Sequence, residues 1–375
     1  LFLKIPVSTT LSNIVDIPFL KNVFEHYTFD EFWSSYSLRD KYEQIEAPAL
    51  FVTGWYDNLV QETIRLYQGW STRGKTNFTR KATKLIIGPW DHLHIGSDEK
   101  VGSIDFGSVA HIDMTAEQIR WYDQRLKHIN NGVDQEAPIR IFVMGENRWR
   151  DEHEWPLART RSVHYYLHSG GSAHTLNGDG RLSKKEPGIE PSDHYVYDPL
   201  NPVPTLGGPV MTSPPGPWDR SHLEQRDDVL VYTSEVLSAD LEVTGQVSLT
   251  LYAASTATDT DFTGTLVDVH PDGKAIILCE GIVRLRYRES LERPSIATPD
   301  EILKLNVDLW ATSNLFFKGH RIRLEISSSN FPRFARNLNT GKHPNSDSDV
   351  QVATQTVFHC SDQPSHLKLP VINRD

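Results

Sequence analysis

Cysteine is almost missing from this chain: Cys279 and Cys360 are the only two in 375 residues. Neither sits in a C-x-x-C pair, which removes a disulfide framework and a Cys-rich zinc site. A reducing, cytoplasmic setting fits that scarcity, although the two could still form one bridge. Long apolar runs are also missing; none approaches the roughly 18 residues that a bilayer span requires. No run of Lys or Arg is long enough to track phosphates, and 38 basic against 49 acidic residues leave a formal charge of −11. Nucleic acid and anionic membrane are therefore poor partners. The opening "LFLKIPVSTT" has neither an initiator Met nor a signal-peptide layout. It reads as the interior of a longer chain, which leaves export open. No internal repeat or low-complexity tract occurs, and the Pro-rich "GGPVMTSPPGPW" at 207–218 reads as a loop or linker.

What is present suits an ordinary globular protein, with 38% hydrophobic and 23% charged residues. The length implies two or three domains. Residues 1 to about 45 are helical in texture and aromatic, as in "FLKNVFEHYTFDEFWSSYSLRDKYEQI". Next, "ALFVTG" at 49–54 is a short apolar run ending in Gly, as in a strand buried on both faces. Leu59, Thr63, Leu66, Tyr67 and Trp70 then share one helical face, with Gly74 as a stop. "KLIIG" at 84–88 predicts a second strand and "IRIFVMG" at 139–145 a third. Between them Thr115 and Gln118 form a capping box before the helical stripe Ile119, Tyr122 and Leu126. This is the alternation of a parallel sheet. Past about residue 158 the period becomes two. In "HRIRLEISSS", Ile322, Leu324 and Ile326 face one way and Arg321, Arg323 and Glu325 the other. An Asp-Gly turn at 272–273 joins two such strands. An antiparallel β-sandwich, a jelly roll, is the natural reading.

Asp57 falls just past the first predicted strand and His92 just past the second. Reactive groups of open α/β sheets sit at such carboxyl ends. A carboxylate that accepts from Nδ1–H fixes the imidazole tautomer and stabilises the imidazolium. Asp57 and His92 thus offer the acid and base of a Ser-His-Asp device, in the chain order of α/β-hydrolases. The plainer alternative makes Asp57 a helix cap and His92 a satisfied loop residue. A metal reading rests on His92-x-His94 with Asp91 and Asp98 nearby. The fuller H-x-H-x-D-H pattern fails, because Gly96 and Ser97 stand where Asp and His are required. No metal and no cofactor is expected.

The segments "PALFVTGWYDN", "KLIIGPWDH", "DFGSVAHIDMTAEQIRWYDQRLK", "PIRIFVMGENRWRDEHEWPLA", "RDDVLVYTSEVL" and "DLWATSNLFFKGHRIRLEISSSNFPRFARNLNTG" resemble the cocaine esterase / X-prolyl dipeptidyl-peptidase hydrolases, the CocE/NonD family. The resemblance runs in order along essentially the whole chain. It implies a tail of a helical cap at 1–45, the C-terminal part of an α/β-hydrolase domain at 46–158, and a jelly roll at 159–375. It also implies that the triad acid of G-W-x-D is Asp57 and the histidine of G-P-W-x-H is His92. Leu59 falls where family members often carry an aromatic lining the acyl pocket. Trp55, Tyr56 and Trp90 flank the triad positions as candidate walls of the substrate site, with core packing as the alternative. Arg333 and Arg336, in "NFPRFARN", are expected to form structural ion pairs.

The family's nucleophilic Ser and oxyanion-hole Tyr belong upstream of the cap. Ser71 in "GWSTRG" and Ser172 in "GGSAH" lack both the final Gly and the strand–elbow–helix context. The nucleophile is therefore expected on an N-terminal segment preceding this chain, its necessary partner. Without that segment, the strands at 49–53 and 84–87 are expected to expose apolar edge and faces. The resemblance implies a small ester or amide substrate: an acyl ester, an X-Pro dipeptide or a β-lactam side chain. A homo-oligomer is compatible with the sequence. The competing classes are a carbohydrate-binding jelly-roll module and an inactive structural paralogue.

Overall fold

A computed structural model describes residues 5–6, 17–96, 100–211 and 214–374. Most of the expected cap tail before residue 17, and Ser97 and Asp98 of the metal reading, lie outside the described residues. Two short helices open the described chain, α1 (Pro18–Glu25) and α2 (Glu31–Tyr36). Asp30 caps α2 by accepting from the Phe32 N–H. This segment leans on loops of the distant C-terminal half: Phe29 N–H donates to Leu291 O, and Tyr287 Oη–H donates to Tyr27 O.

The first sheet runs β1–β2–β5–β6. Strands β1 (Leu50–Tyr56), β2 (Lys84–Asp91) and β5 (Ile139–Val143) are parallel, and β6 (Arg148–Glu152) turns back antiparallel. A two-residue ladder, β3 (Lys100–Val101) with β4 (Ile104–Asp105), lies beyond β2. Helices α3 (Val60–Arg73) and α4 (Asn77–Ala82) connect β1 to β2, and α5 (Met114–Leu126) precedes β5.

Three sequence expectations need correction here. The inward stripe of α3 is Val60, Ile64 and Tyr67, and Leu59 is exposed. The Asp57 carboxylate takes the Leu59 N–H, so the helix begins one residue later and the stripe turns with it. The cap of α5 is Asp113, which accepts from Ala116 N–H at 3.0 Å, rather than Thr115. From that start Trp121 points inward, and Ile119, Tyr122 and Leu126 are exposed. Finally, β2 is buried at every position, because β1 and β5 flank it; only Leu50, Phe51 and Val52 of edge strand β1 are half-exposed.

From Thr160 onward the described strands belong to an eleven-stranded sheet. They are β7 (Thr160–His168), β8 (Arg181–Ser183), β9 (Asp193–Tyr197), β10 (Leu230–Ser234), β11 (Leu241–Ser255) and β12 (Asp261–Val269). There follow β13 (Ala275–Arg284), β14 (Leu303–Phe316), β15 (Arg321–Ser327), β16 (Ala353–Phe358) and β17 (His366–Ile372). The order β13–β12–β15–β10–β8–β7–β17–β11–β16–β9, with β14 on β11, bends over itself around one apolar core. Leu249 of β11 and Leu309 of β14 close on Gly264 of β12, where an added Cβ would meet the Leu309 side chain at 2.8 Å. Gly281 of β13 approaches the backbone of Asp308 more closely still, at 1.8 Å from such a Cβ. The alternation in β15 sends Ile322, Leu324 and Ile326 into this core. The opposite face is not solvent: Arg323 pairs with Glu224, and Arg220 with Glu325 at 2.7 Å, all four buried. Cys279 and Cys360 are both free thiols, so no bridge joins them.

Candidate active site

Parallel pairing of β1 with β2 runs in step from Leu50↔Lys84 to Gly54↔Gly88, so both strands finish at the same edge of the sheet. A register shift between Gly54 and Tyr56 then brings Tyr56 opposite Asp91. Two glycines permit the crowding. A Cβ on Gly54 would lie 1.9 Å from Trp90 O, and one on Gly88 would lie 2.4 Å from the Trp90 ring. The G-W and G-P-W spellings thus have a steric cause that pattern reading alone did not supply.

Asp57 and His92 emerge side by side. His92 Nδ1 stands 3.0 Å from Asp57 Oδ1. That oxygen also accepts from Leu59 N–H at 2.8 Å, and Oδ2 accepts from Thr53 Oγ1–H at 3.1 Å. The carboxylate is buried, at 4% side-chain exposure, whereas the imidazole is 32% exposed. A buried carboxylate held by a hydroxyl and a backbone N–H has little freedom to leave its histidine. Hydrogen bonding at Nδ1 assigns the proton there and leaves Nε2 as the outward-facing acceptor. Asp57 therefore fixes Leu59, the residue that precedes its helix, while it holds His92, and the helix itself has no side-chain cap. Thr53 is a partner that sequence reasoning missed; its position four residues before the acid on β1 was the available signal.

His94 belongs to a separate pair. Its Nδ1 lies 3.0 Å from both Asp91 oxygens, and Asp91 Oδ1 also accepts from the N–H groups of Leu93 and His94. The two loop imidazoles are thus oriented by different carboxylates. Ser71 lies in α3 with its hydroxyl donating to Gln68 O. Ser172 lies in a loop, its N–H donating to Asp179. Neither hydrogen-bonds to His92 among the described residues.

The aromatic neighbours are core residues rather than walls. Trp55 Nε1–H donates to Phe142 O at 2.7 Å, and its ring packs 6.2 Å from that of Trp155. Trp90 Nε1–H donates to Ala110 O at 3.1 Å beside Trp149. Both indoles are inaccessible because interior carbonyls need those donors and the rings fill the space between strands. Tyr56 Oη–H donates to Ile277 O of β13 at 3.1 Å, and burial raises its pKa well above the usual phenol value. Leu59, by contrast, is 48% exposed next to Asp57 and remains free to meet a ligand. Arg333 pairs with Glu280, and Arg336 donates to Pro199 O.

An acid and a histidine on neighbouring parallel strand ends, followed by a β-rich domain, define an α/β-hydrolase segment with a C-terminal β domain. Residues 131–368 match the X-Pro dipeptidyl-peptidase C-terminal non-catalytic domain, and residues 8–94 match the X-Pro dipeptidyl-peptidase S15 family. The chain is 39% identical over 362 residues to the cocaine esterase of Rhodococcus sp. (strain MB1 Bresler), covering 95% of this chain and 62% of that protein. It belongs to the CocE/NonD family of hydrolases. The solved structure of an α-amino acid ester hydrolase superposes with a TM-score of 0.78 at 26% identity, over 97% of this chain and 62% of that one. An aminopeptidase from a marine sediment archaeon, Thaumarchaeota archaeon, shares the fold with a TM-score of 0.83 at 24% identity, with the same coverage. The chain therefore spans 62% of the length of each of these three relatives.

Proposed function

We propose that this chain carries the acid and base of a serine esterase whose nucleophilic serine lies on a segment preceding Leu1. The observation that carries the reading is the hydrogen bond from His92 Nδ1 to the buried, doubly anchored Asp57 carboxylate. The greater length of the relatives and the exposed apolar stripe of α5 both accord with further chain covering this part. On this reading His92 Nε2 takes the proton of the serine hydroxyl as its oxygen attacks the ester carbonyl. The tetrahedral intermediate collapses, and the imidazolium returns that proton to the departing alcohol. Water, deprotonated by the same Nε2, then releases the acid and restores the serine. Asp57 holds the tautomer and stabilises each imidazolium. Two relatives are named for ester substrates, which favours a carboxylic ester over an X-Pro peptide or a β-lactam amide. Within the same proposal, residues before 46 form the tail of a cap, 46–158 the hydrolase part and 159–375 a jelly roll. The folded-over sheet, antiparallel except where β8 meets β10, supports the last of these.

A fluorophosphonate probe on the complete protein tests the reading. Labelling is expected at a serine before Leu1, with hydrolysis of simple aryl esters. His92→Ala should abolish both; undiminished turnover in that variant would overturn the proposal.

A further inference from the structure

A second constellation of ionisable side chains sits away from the Asp57–His92 pair, on the β domain. Asp268 lies near the end of β12, His270 in the turn after it, and His320 just before β15, the strand paired with β12. Antiparallel register sets Asp268 opposite Ile322 and Val269 opposite Arg321, which brings the two histidines to the same end of the ladder. His320 Nδ1 stands 2.8 Å from Asp268 Oδ1, and His270 Nε2 stands 3.9 Å from Asp268 Oδ2. The two imidazole centroids are 4.5 Å apart, and one nitrogen or oxygen from each residue lies within 4.8 Å of the others. An ordinary Asp–His ion pair accounts for Asp268 and His320. It does not account for His270, whose Nε2 faces the other oxygen of the same carboxylate beyond hydrogen-bond range.

The surroundings match a ligand site. The Asp268 and His320 side chains are only 7% and 12% exposed, and His270 is 32% exposed. Asn314 Nδ2 approaches Asp268 Oδ2 at 3.5 Å, a long contact that leaves this oxygen capacity to bind. The cluster borders a cavity of about 300 Å³ between the two sheets, lined also by Tyr56, Phe106, Met144, Leu278 and Phe317.

We propose that Asp268, His270 and His320 bind one divalent transition-metal ion, zinc before the others, with a fourth position opening onto this cavity. Two imidazoles and one carboxylate are a donor set that suits zinc and its neighbours in the first transition row, and they leave a coordination position for water. Zinc bonds of about 2.0–2.2 Å place tetrahedral ligand atoms roughly 3.3 Å apart. One donor atom from each residue lies within 4.8 Å of the other two, so side-chain rotations that draw them together would complete the site. Calcium and magnesium, which require mostly oxygen donors, do not fit. A bound ion would clamp the β12–β13 turn to the start of β15 and so stabilise the folded β domain by mass action.

The test uses the complete protein, free of any affinity tag and stripped with a chelator. Isothermal titration with Zn²⁺ should show one saturable site, and Co²⁺ should develop the visible absorption of a tetrahedral complex with nitrogen ligands. His270→Ala, at a half-exposed turn, should weaken Zn²⁺ binding by on the order of 100-fold with an unchanged circular dichroism spectrum. His320→Ala should do the same, and a failure of that variant to fold leaves His270→Ala to decide. Absence of a saturable site, or undiminished binding in His270→Ala, would overturn the proposal. So would loss of binding in a His92→Ala, His94→Ala double variant, which would put the ion in the loop after β2. None of these readouts depends on esterase activity.

Discussion

The carbonyl of Trp90 packs against the backbone of Gly54 so closely that a Cβ there would sit 1.9 Å from the oxygen. Neither partner can yield, since both are main chain in the two strands that deliver Asp57 and His92. Gly54→Ala should therefore push β1 from β2 and destabilise the protein by about 4 kcal/mol or more. Urea denaturation would read this as a large fall in midpoint, or as loss of soluble protein. A midpoint within experimental error of the parent would mean the strands have room that the structure denies.

If the proposed esterase reading holds, Asp57→Asn in the complete protein should lower kcat by roughly 10⁴, because the amide favours the wrong imidazole tautomer. Thr53→Val removes only one of the carboxylate's anchors. Its expected effect is about tenfold on kcat/KM, near 1.4 kcal/mol, as Asp57 gains freedom. Equal losses in both variants would show that Thr53 acts on folding instead.

Trp90 and Leu59 should separate cleanly. Trp90→Phe leaves the Ala110 carbonyl without its donor and opens a small void, for a loss of about 2 kcal/mol in stability. KM should stay put. Leu59→Ala, at an exposed position beside the acid, should change stability by less than about 0.5 kcal/mol and alter KM for bulky acyl esters. The reverse pattern would restore Trp90 to the substrate pocket.

Glu224 offers a test by pH. Burial, together with the nearby Glu325 carboxylate, pushes its pKa up to about 7 in spite of Arg323. A folded-state value above the unfolded one means a contribution that is full below about pH 4.3 and lost as pH rises through 7. Glu224→Gln imitates the protonated form. The parent should lose roughly 1–3 kcal/mol more than this variant between pH 5 and pH 8, by urea midpoints at each pH. Parallel curves would show that Glu224 is ionised throughout, as a simple partner of Arg323.

Much of this architecture was legible from the chain. Short apolar runs ending in Gly marked β1 and β2, and the positions of Asp57 and His92 just past those runs pointed to a meeting at one sheet edge. Other details were not legible, because they depend on three-dimensional neighbours. Nothing local reveals that the indoles of Trp55 and Trp90 must serve Phe142 O and Ala110 O. Nor does alternation in β15 say that its charged face will be roofed by Glu224 and Arg220 rather than wetted. The start of α5 was misplaced because Thr115 and Asp113 are both good caps, and backbone geometry chose the latter. The histidines at 270 and 320 are 50 residues apart and carry no motif, so only strand pairing unites them.

The acid is tethered on both flanks to strands of the other sheet. Tyr56, immediately before it, hangs from Ile277 O, while Gln61 and Arg65, a turn or two after it, each reach Asp308 Oδ2 at 3.0 Å. The downstream domain supplies none of the proposed reacting groups, yet it acts as a mounting plate for one of them. Slackening at that seam would tilt Asp57 before any strand melted. Heat inactivation should accordingly precede the loss of circular dichroism, and drift in enzymatic turnover becomes the most sensitive gauge of how firmly the two halves are bolted together.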